Sequence, residues 1–265
     1  MGIAFDFCEV NGTKLRACAQ GEGECVLLVH GGYGNLAVWD EVADALAADY
    51  YVIRFDQRGF GQSAEPVGPF SYAEDVKGIL DHYGISRAHI VGSSFGGSAA
   101  IDFALQYPQA VGKLVLAGPS INGRRYPLRM QWKGIADFLR VRRVGIEKAA
   151  DRLLADPFWR YMVPRDEERR RKFRDLYVSN AAYYRSKPTW AKPLAPTAAG
   201  RLGELRGPVL VIEPENDLPF NKQACEMLAR GANDATRVVM RDSGHYPHLE
   251  RPADFAAIVL DYLKA

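Results

Sequence analysis

The 265-residue chain lacks any run of the roughly 18 consecutive apolar residues that a membrane-crossing helix needs. Its first residues, MGIAFDFCEV, carry acids and no apolar stretch, so neither a signal peptide nor an anchor is expected. Met1 and Gly2 open like an acylation site, but Asp6 stands where Ser or Thr is required. An excess of one charge is missing too, since 34 Lys and Arg face 32 Asp and Glu for a net +2. That balance gives no overall electrostatic footprint for nucleic acid or a membrane surface, and neither partner is expected. Cysteine is scarce. The four, Cys8, Cys18, Cys25 and Cys225, include no C-x-x-C pair. A two-residue turn at Asn11-Gly12 sets Cys8 opposite Leu15 and Cys18 opposite Phe5, so these two should not bond. Four free, buried thiols in a cytoplasmic chain are the expectation. No His and Cys cluster has metal-ligand spacing, no G-x-x-x-x-G-K-[ST] loop occurs, and no G-x-G-x-x-G follows the first strands. Neither a metal nor another cofactor is expected.

Hydrophobic residues, by contrast, make up 48% of the chain, enough at this length for a large core. Hairpin strands at Ile3–Val10 and Thr13–Ala19 open the chain. Strand-like runs follow at Cys25–His30 (CVLLVH), Tyr50–Phe55 (YYVIRF), Ala88–Gly92, Lys113–Gly118, Pro208–Glu213 and Thr236–Arg241. The continuous apolar ones suit a sheet buried on both faces. Helical spacing fills the gaps, with Val38, Val42 and Leu46 on one face, then Ser71–Gly84, Gly96–Pro108, Asn221–Arg230 and Pro252–Ala265. Ser71 with Glu74 three residues on reads as a helix-starting box. Such alternation predicts an α/β fold, a mostly parallel sheet with helices on both faces and its site at the carboxyl ends of the strands. Between Ile121 and Gly200 the alternation breaks into an Arg-rich stretch, helical at Gly134–Val141 and Glu147–Leu154, that ends in the Pro-rich KPTWAKPLAPTAAG. The expected division is a core of 1–120 and 205–265 with a helical cap inserted at 121–204.

The stretch Gly92-Ser93-Ser94-Phe95-Gly96 satisfies G-x-S-x-G for Ser94 alone, after a strand and before a helix. Small neighbours are needed because the serine sits on a cramped strand-to-helix turn that raises its hydroxyl above the sheet edge. Ser93 reads as a small filler. A serine hydroxyl becomes a nucleophile only with an oriented base to take its proton. Among the five histidines, His245 and His248 fall in DSGHYPHLERP, between the last strand and the last helix, at the same sheet edge as Ser94. His82 and His89 lie on a helix and at a strand start, and His30 precedes a glycine run that it would brace. For the orienting acid, VIEPENDLPF offers Glu213, Glu215 and Asp217, of which Asp217 falls in the loop proper. The order Ser94, Asp217, His245 is one of several on which this triad has converged.

Taken together, HGGYG (His30–Gly34), DQRGFGQS (Asp56–Ser63), GSSFGG (Gly92–Gly97), END with Asp217, and GHYPHLERP (Gly244–Pro252) resemble the α/β-hydrolase fold superfamily over nearly the whole chain. The resemblance implies Ser94 as nucleophile, His245 as base and Asp217 as acid. It implies the backbone N–H groups of Gly32 and Phe95 as the oxyanion hole. Asp56 and Arg58 then look like a turn-fixing ion pair, and His248 like a hydrogen-bonded loop brace or a pocket residue. A carboxylate at position 94 would mark a dehalogenase or epoxide hydrolase, and Ser94 excludes both.

The implied function is a serine hydrolase acting on a small-molecule ester or lactone through an acyl-serine. Proline iminopeptidases carry HGGPG where this chain has Tyr33, and carbon–carbon bond hydrolases resemble the SFGG elbow but differ in the glycine loop. A ligand receptor with a vestigial triad is the reading from another class. The candidate pocket residues are Tyr33, Trp132, Trp159, Tyr183, Tyr184 and His248. Residues 121–200 hold 19 Lys and Arg against 8 Asp and Glu, leaving 15 against 24 elsewhere. Some of these cations, such as Arg124, Arg125, Arg129 or Arg185, are therefore expected to hold an anionic substrate group.

Overall fold

The computed structural model describes residues 4–265. The expected strand start at Ile3 and the Met1–Gly2 dipeptide lie outside the described residues. Among the described residues eight strands build one sheet, β1 (Asp6–Val10), β2 (Thr13–Gln20), β3 (Cys25–Val29), β4 (Tyr51–Phe55), β5 (Ala88–Ser93), β6 (Val111–Ala117), β7 (Val209–Pro214) and β8 (Ala235–Met240). They lie in the order β1-β2-β4-β3-β5-β6-β7-β8. The β1–β2 hairpin and the β2–β4 pair are antiparallel and every later pair is parallel. Asn11 and Gly12 turn the hairpin with positive φ. Cys8 faces Leu15 there, and all four cysteines are free and buried.

On one face of the sheet lie α2 (Tyr72–His82) and α3 (Ser94–Gln106), together with α7 (Pro219–Gly231). The other face carries α1 (Asp40–Leu46) and the C-terminal α9 (Pro252–Lys264), with the one-turn α8 (Pro247–Glu250) before it. Between β6 and β7 the chain leaves the sheet as α4 (Leu128–Val144), α5 (Ile146–Ala155) and α6 (Glu167–Val178). Val141, Leu153, Phe173 and Tyr177 of this helical insertion continue the core layer that α1 and α9 cover. Ala198, Leu202 and Leu205, at the return to the sheet, pack instead into the α2–α3–α7 layer. α6 was not foreseen. Its sequence EERRRKFRDLYV buries only Phe173, Leu176 and Tyr177, too sparse a stripe to stand out from the charge around it.

Register decides where chemistry can assemble. Val29 lies beside Gly92, Ser93 beside Ala117, Ala117 beside Ile212, and Pro214 beside Met240. The loops after β3, β5, β6, β7 and β8 therefore leave the sheet at one common edge.

Two local expectations fail. Ser71 precedes α2 in extended conformation but makes no side-chain cap bond. Glu74, the other half of that box, instead accepts the Tyr107 hydroxyl at 2.8 Å. Arg58 does not pair with Asp56. It reaches Asp75 through Nε at 2.9 Å and Nη2 at 2.6 Å, while Asp56 accepts the backbone N–H of Leu36 and Gln62, each at 2.8 Å. Asp56 still fixes the turn, through backbone donors.

Candidate active site

At the β5–α3 junction the chain turns from strand to helix within one residue, and Ser94 takes that turn with φ +49°. A non-glycine residue in the left-handed region is strained and persists only where its surroundings hold it there. The glycines on either side make the turn sterically feasible. A Cβ on Gly92 would lie 2.8 Å from the Gly96 carbonyl oxygen, and one on Gly96 would lie 2.3 Å from the Val29 and His30 carbonyls. Small residues continue along α3, whose stretch from Gly96 to Leu105 is buried throughout.

The Ser94 hydroxyl lies 2.8 Å from His245 Nε2, and His245 Nδ1 lies 2.7 Å from Asp217 Oδ2. Beside a carboxylate oxygen, Nδ1 must carry the proton and donate it; Nε2 is then left as an acceptor facing the serine O–H. Asp217 and His245 are 7% and 6% exposed, so both bonds act in a medium poor in water. The second Asp217 oxygen accepts the Leu218 N–H and the Asn221 amide, each at 2.7 Å. Asn221 belongs to no motif in the sequence. The signal was its position four residues after Asp217, where the Pro219-started helix brings its side chain back. Glu215 is turned away and accepts the Asp242 N–H at 2.9 Å. Glu213 pairs with Arg237 at 2.8 Å.

The loop after β3 closes over the serine. A Cβ on Gly31 would meet Ser94 Cβ at 3.2 Å, and one on Gly32 would meet Phe95 Cβ at 3.8 Å, so these two residues lie beside each other. Phe95 stands in the first turn of α3, where an N–H has no partner within the helix. The Tyr246 hydroxyl donates to the Gly32 carbonyl oxygen and anchors the loop to the residue next to His245. His30 braces the same loop. Its Nδ1 donates to the Gly31 carbonyl at 2.8 Å and its Nε2 accepts the Gln57 N–H at 2.9 Å; complete burial pushes its pKa down to about 4.

Above Ser94 opens a cavity of about 560 Å³. Four of the candidate pocket residues line it, Tyr33, Trp159, Tyr183 and Tyr184, with Phe60, Tyr161, Met162 and Phe138 added by the structure. Tyr33 holds its place with φ +63° and stacks on Tyr177 at 5.5 Å. Trp132 does not line the cavity; it lies on the outer side of α4 and is 68% exposed. His248 is also excluded from the cavity. It is fully buried and stacked 4.1 Å from Trp39, and among the described residues neither ring nitrogen has a hydrogen-bond partner. It braces by packing against Trp39 and Phe255.

The arginines expected around the substrate are elsewhere. Arg124 donates to the Phe220 carbonyl at 2.7 Å and covers its ring, and Arg185 pairs with Glu65 at 2.8 Å. Arg125 is exposed, and Arg129 lies over Phe158. No Lys or Arg lines the cavity among the described residues. The carboxyl group among its walls is Asp137, which accepts the Tyr177 hydroxyl at 2.9 Å and the Tyr184 hydroxyl at 3.2 Å. Burial raises its pKa against those two hydrogen bonds.

The family model for the alpha/beta hydrolase fold matches residues 24–252, which contain every site residue named above. The chain belongs to the α/β-hydrolase fold family. Similar sequences include the 2-hydroxy-6-oxo-6-phenylhexa-2,4-dienoate hydrolase of Comamonas testosteroni, 29% identical over 92% of this chain and 89% of that protein. A 2-hydroxy-6-oxononadienedioate/2-hydroxy-6-oxononatrienedioate hydrolase of Paraburkholderia phymatum is 32% identical over 95% and 92%. Among solved structures, the enol-lactonase of Burkholderia xenovorans superposes with a TM-score of 0.83 at 25% identity, covering 98% of this chain and all of the other. This α/β hydrolase is thus an enzyme among hydrolases of several bond types.

Proposed function

We propose that this α/β hydrolase cleaves neutral, largely apolar carboxylic esters or lactones through an acyl-Ser94 intermediate, beneath a cap formed by residues 121–204. The observation that carries the reading is the hydrogen-bonded line Ser94–His245–Asp217 on the floor of an aromatic cavity whose walls, among the described residues, hold no Lys or Arg. Ser94 Oγ attacks the substrate carbonyl carbon while His245 Nε2 takes the hydroxyl proton. Asp217 orients the imidazole and stabilises the imidazolium; Asn221 and the Leu218 N–H hold Asp217. Negative charge on the carbonyl oxygen meets the N–H groups of Gly32 and Phe95. The tetrahedral adduct collapses, and the alkoxide leaves with the proton held by His245. Water, deprotonated by His245, then attacks the acyl carbon and releases the acid and Ser94.

Carbon–carbon bond hydrolysis is the second reading, favoured by the names of the relatives. The substrates in those names, a dienoate and a dienedioate or trienedioate, carry one or two carboxylates. A carboxylate buried without a partner costs several kcal/mol, and this cavity offers Asp137 instead of a cation. A fluorophosphonate probe should label the enzyme and fail on Ser94→Ala. A panel of neutral esters, lactones, carboxylate-bearing esters and a 2-hydroxy-6-oxo-dienoate then decides the bond. Neutral esters or lactones should exceed their carboxylate-bearing analogues in kcat/KM by about tenfold or more, the size of one unpaired charge contact. Faster cleavage of the dienoate would transfer the assignment to carbon–carbon bonds.

A further inference from the structure

The outer side of α4 bears Leu128, Trp132, Ile135 and Leu139, respectively 73%, 68%, 50% and 57% exposed. Spaced at i, i+4, i+7 and i+11, they form one continuous apolar stripe along the helix. Large side chains this exposed on one element mark a surface that meets something. The helix carries one acid, Asp137, and it is turned inward and buried. Its exposed charges are all positive. Beside the stripe, a groove between α4 and α5 is walled by Arg140, Arg143 and Arg152 with Ala136, Leu139 and Val144. Arg143 and Arg152 make no ion pair among the described residues, and Arg140 approaches the buried Asp137 no closer than 3.6 Å. A guanidinium groove against an apolar stripe matches the two chemistries of an anionic lipid surface, phosphate outside and hydrocarbon beneath. A second copy of the chain fits less well, because it would bring two basic rims together.

We propose that α4 and the Arg140–Arg143–Arg152 groove form a docking face for an anionic lipid surface. Arg side chains seat the phosphates, and Trp132 and Leu128 enter the headgroup boundary. Ile135 and Leu139 belong to both the stripe and the cavity wall, so a docked surface lies at the cavity mouth. The balanced charge of the whole chain, which argues against a membrane surface, conceals this local asymmetry.

The test is flotation of the intact enzyme with phosphatidylcholine vesicles made with and without phosphatidylglycerol, together with quenching of Trp132 fluorescence by brominated acyl chains. The enzyme should float only with phosphatidylglycerol and come off when salt compresses the Debye length to about 3 Å at 1 M. Arg143→Gln with Arg152→Gln should lower the partition coefficient roughly 25-fold, from about fivefold per basic residue near an anionic surface. Leu128→Ser with Trp132→Ser should lower it by about tenfold or more and abolish quenching. All four residues lie outside the cavity, so hydrolysis of a soluble ester should be unchanged and certifies the fold of each variant. Equal partition into neutral vesicles, or none into either, overturns the proposal. So does a concentration-dependent dimer that the Trp132 variant breaks, which would assign the stripe to a second copy. Inorganic phosphate held by the groove without any vesicle binding also overturns it, leaving a free-anion site.

Discussion

The strain at Ser94 and the hydrogen bonds on Asp217 belong to one device. Positive φ lifts the hydroxyl above the sheet edge, and the His245 ring is aimed at it because Asp217 is itself held by two donors. Ser94→Ala should lose fluorophosphonate labelling and about 10³- to 10⁶-fold in kcat. Ser93→Ala should keep most activity, because that hydroxyl is buried and has no hydrogen-bond partner among the described residues. The reverse pattern in a side-by-side assay would remove Ser94 from its role. Asn221→Leu keeps the bulk but removes a donor from the Asp217 carboxylate, and kcat should fall about 10- to 100-fold with a smaller change in KM. The check is a kcat-against-pH profile as well as the rate. A merely structural Asn221 would lower folded yield and leave the profile in place. Ser94 was legible from G-x-S-x-G between a strand and a helix, and His245 and Asp217 from loops that strand counting places at the same edge. Asn221 and Tyr246 were not, because an amide and a phenol carry no motif until the fold brings them against a neighbour.

Among the elements, α8 is the shortest and holds the least expected residue. His248 sits between Trp39 and Phe255 with neither nitrogen partnered among the described residues, and burial drives its pKa down to about 3 from an ordinary 6.5. The folded state therefore binds this proton only below about pH 3, whereas the unfolded chain binds it below about 6.5. Stability from the neutral ring is complete above pH 6.5 and is lost as pH falls toward 3. Between pH 7.5 and 4.5 the loss is about 2–3 kcal/mol for this one group. His248→Phe retains the aromatic stack without the titration. Urea midpoints should show it losing less stability than the parent over that range, and equal losses would contradict the account. Helices and strands of the sheet were legible because continuous apolar runs and 3.6-residue spacing survive on a single sequence. α6 and the unused Ser71 cap were not, since α6 buries too little and the Glu74 half of the box is taken by the Tyr107 hydroxyl.

Over the whole molecule, the sequence sets 19 Lys and Arg against 8 Asp and Glu in residues 121–200 and 15 against 24 elsewhere. Which way the arginines point was beyond it. A guanidinium lowered into an aromatic cavity loses its hydration, whereas one at the surface lets its stem pack and its head stay wet. Several instead tie the two parts together: Arg169 meets Glu41 bidentately across α6 and α1, and Arg185 meets Glu65. Such exposed pairs contribute about 0.2–1 kcal/mol. Arg169→Gln should thus lower the urea-unfolding free energy by no more than about 1 kcal/mol, and added salt should erase the difference. A larger loss that persists in high salt would mean that the side chain acts through packing.

The four free thiols lie at 0–6% exposure, in β1, β2, β3 and α7. Burial raises Cys8 to about 11 and Cys25 to about 12, and pushes Cys18 and Cys225 upward as well. Thiolate is the form that maleimides and disulfide reagents attack, so the native surface is silent to them. One cysteine introduced on the outer turn of α4 would be the sole reactive sulfur of the folded enzyme. A spin label or dye could be attached to the wild-type background there without first removing any native residue.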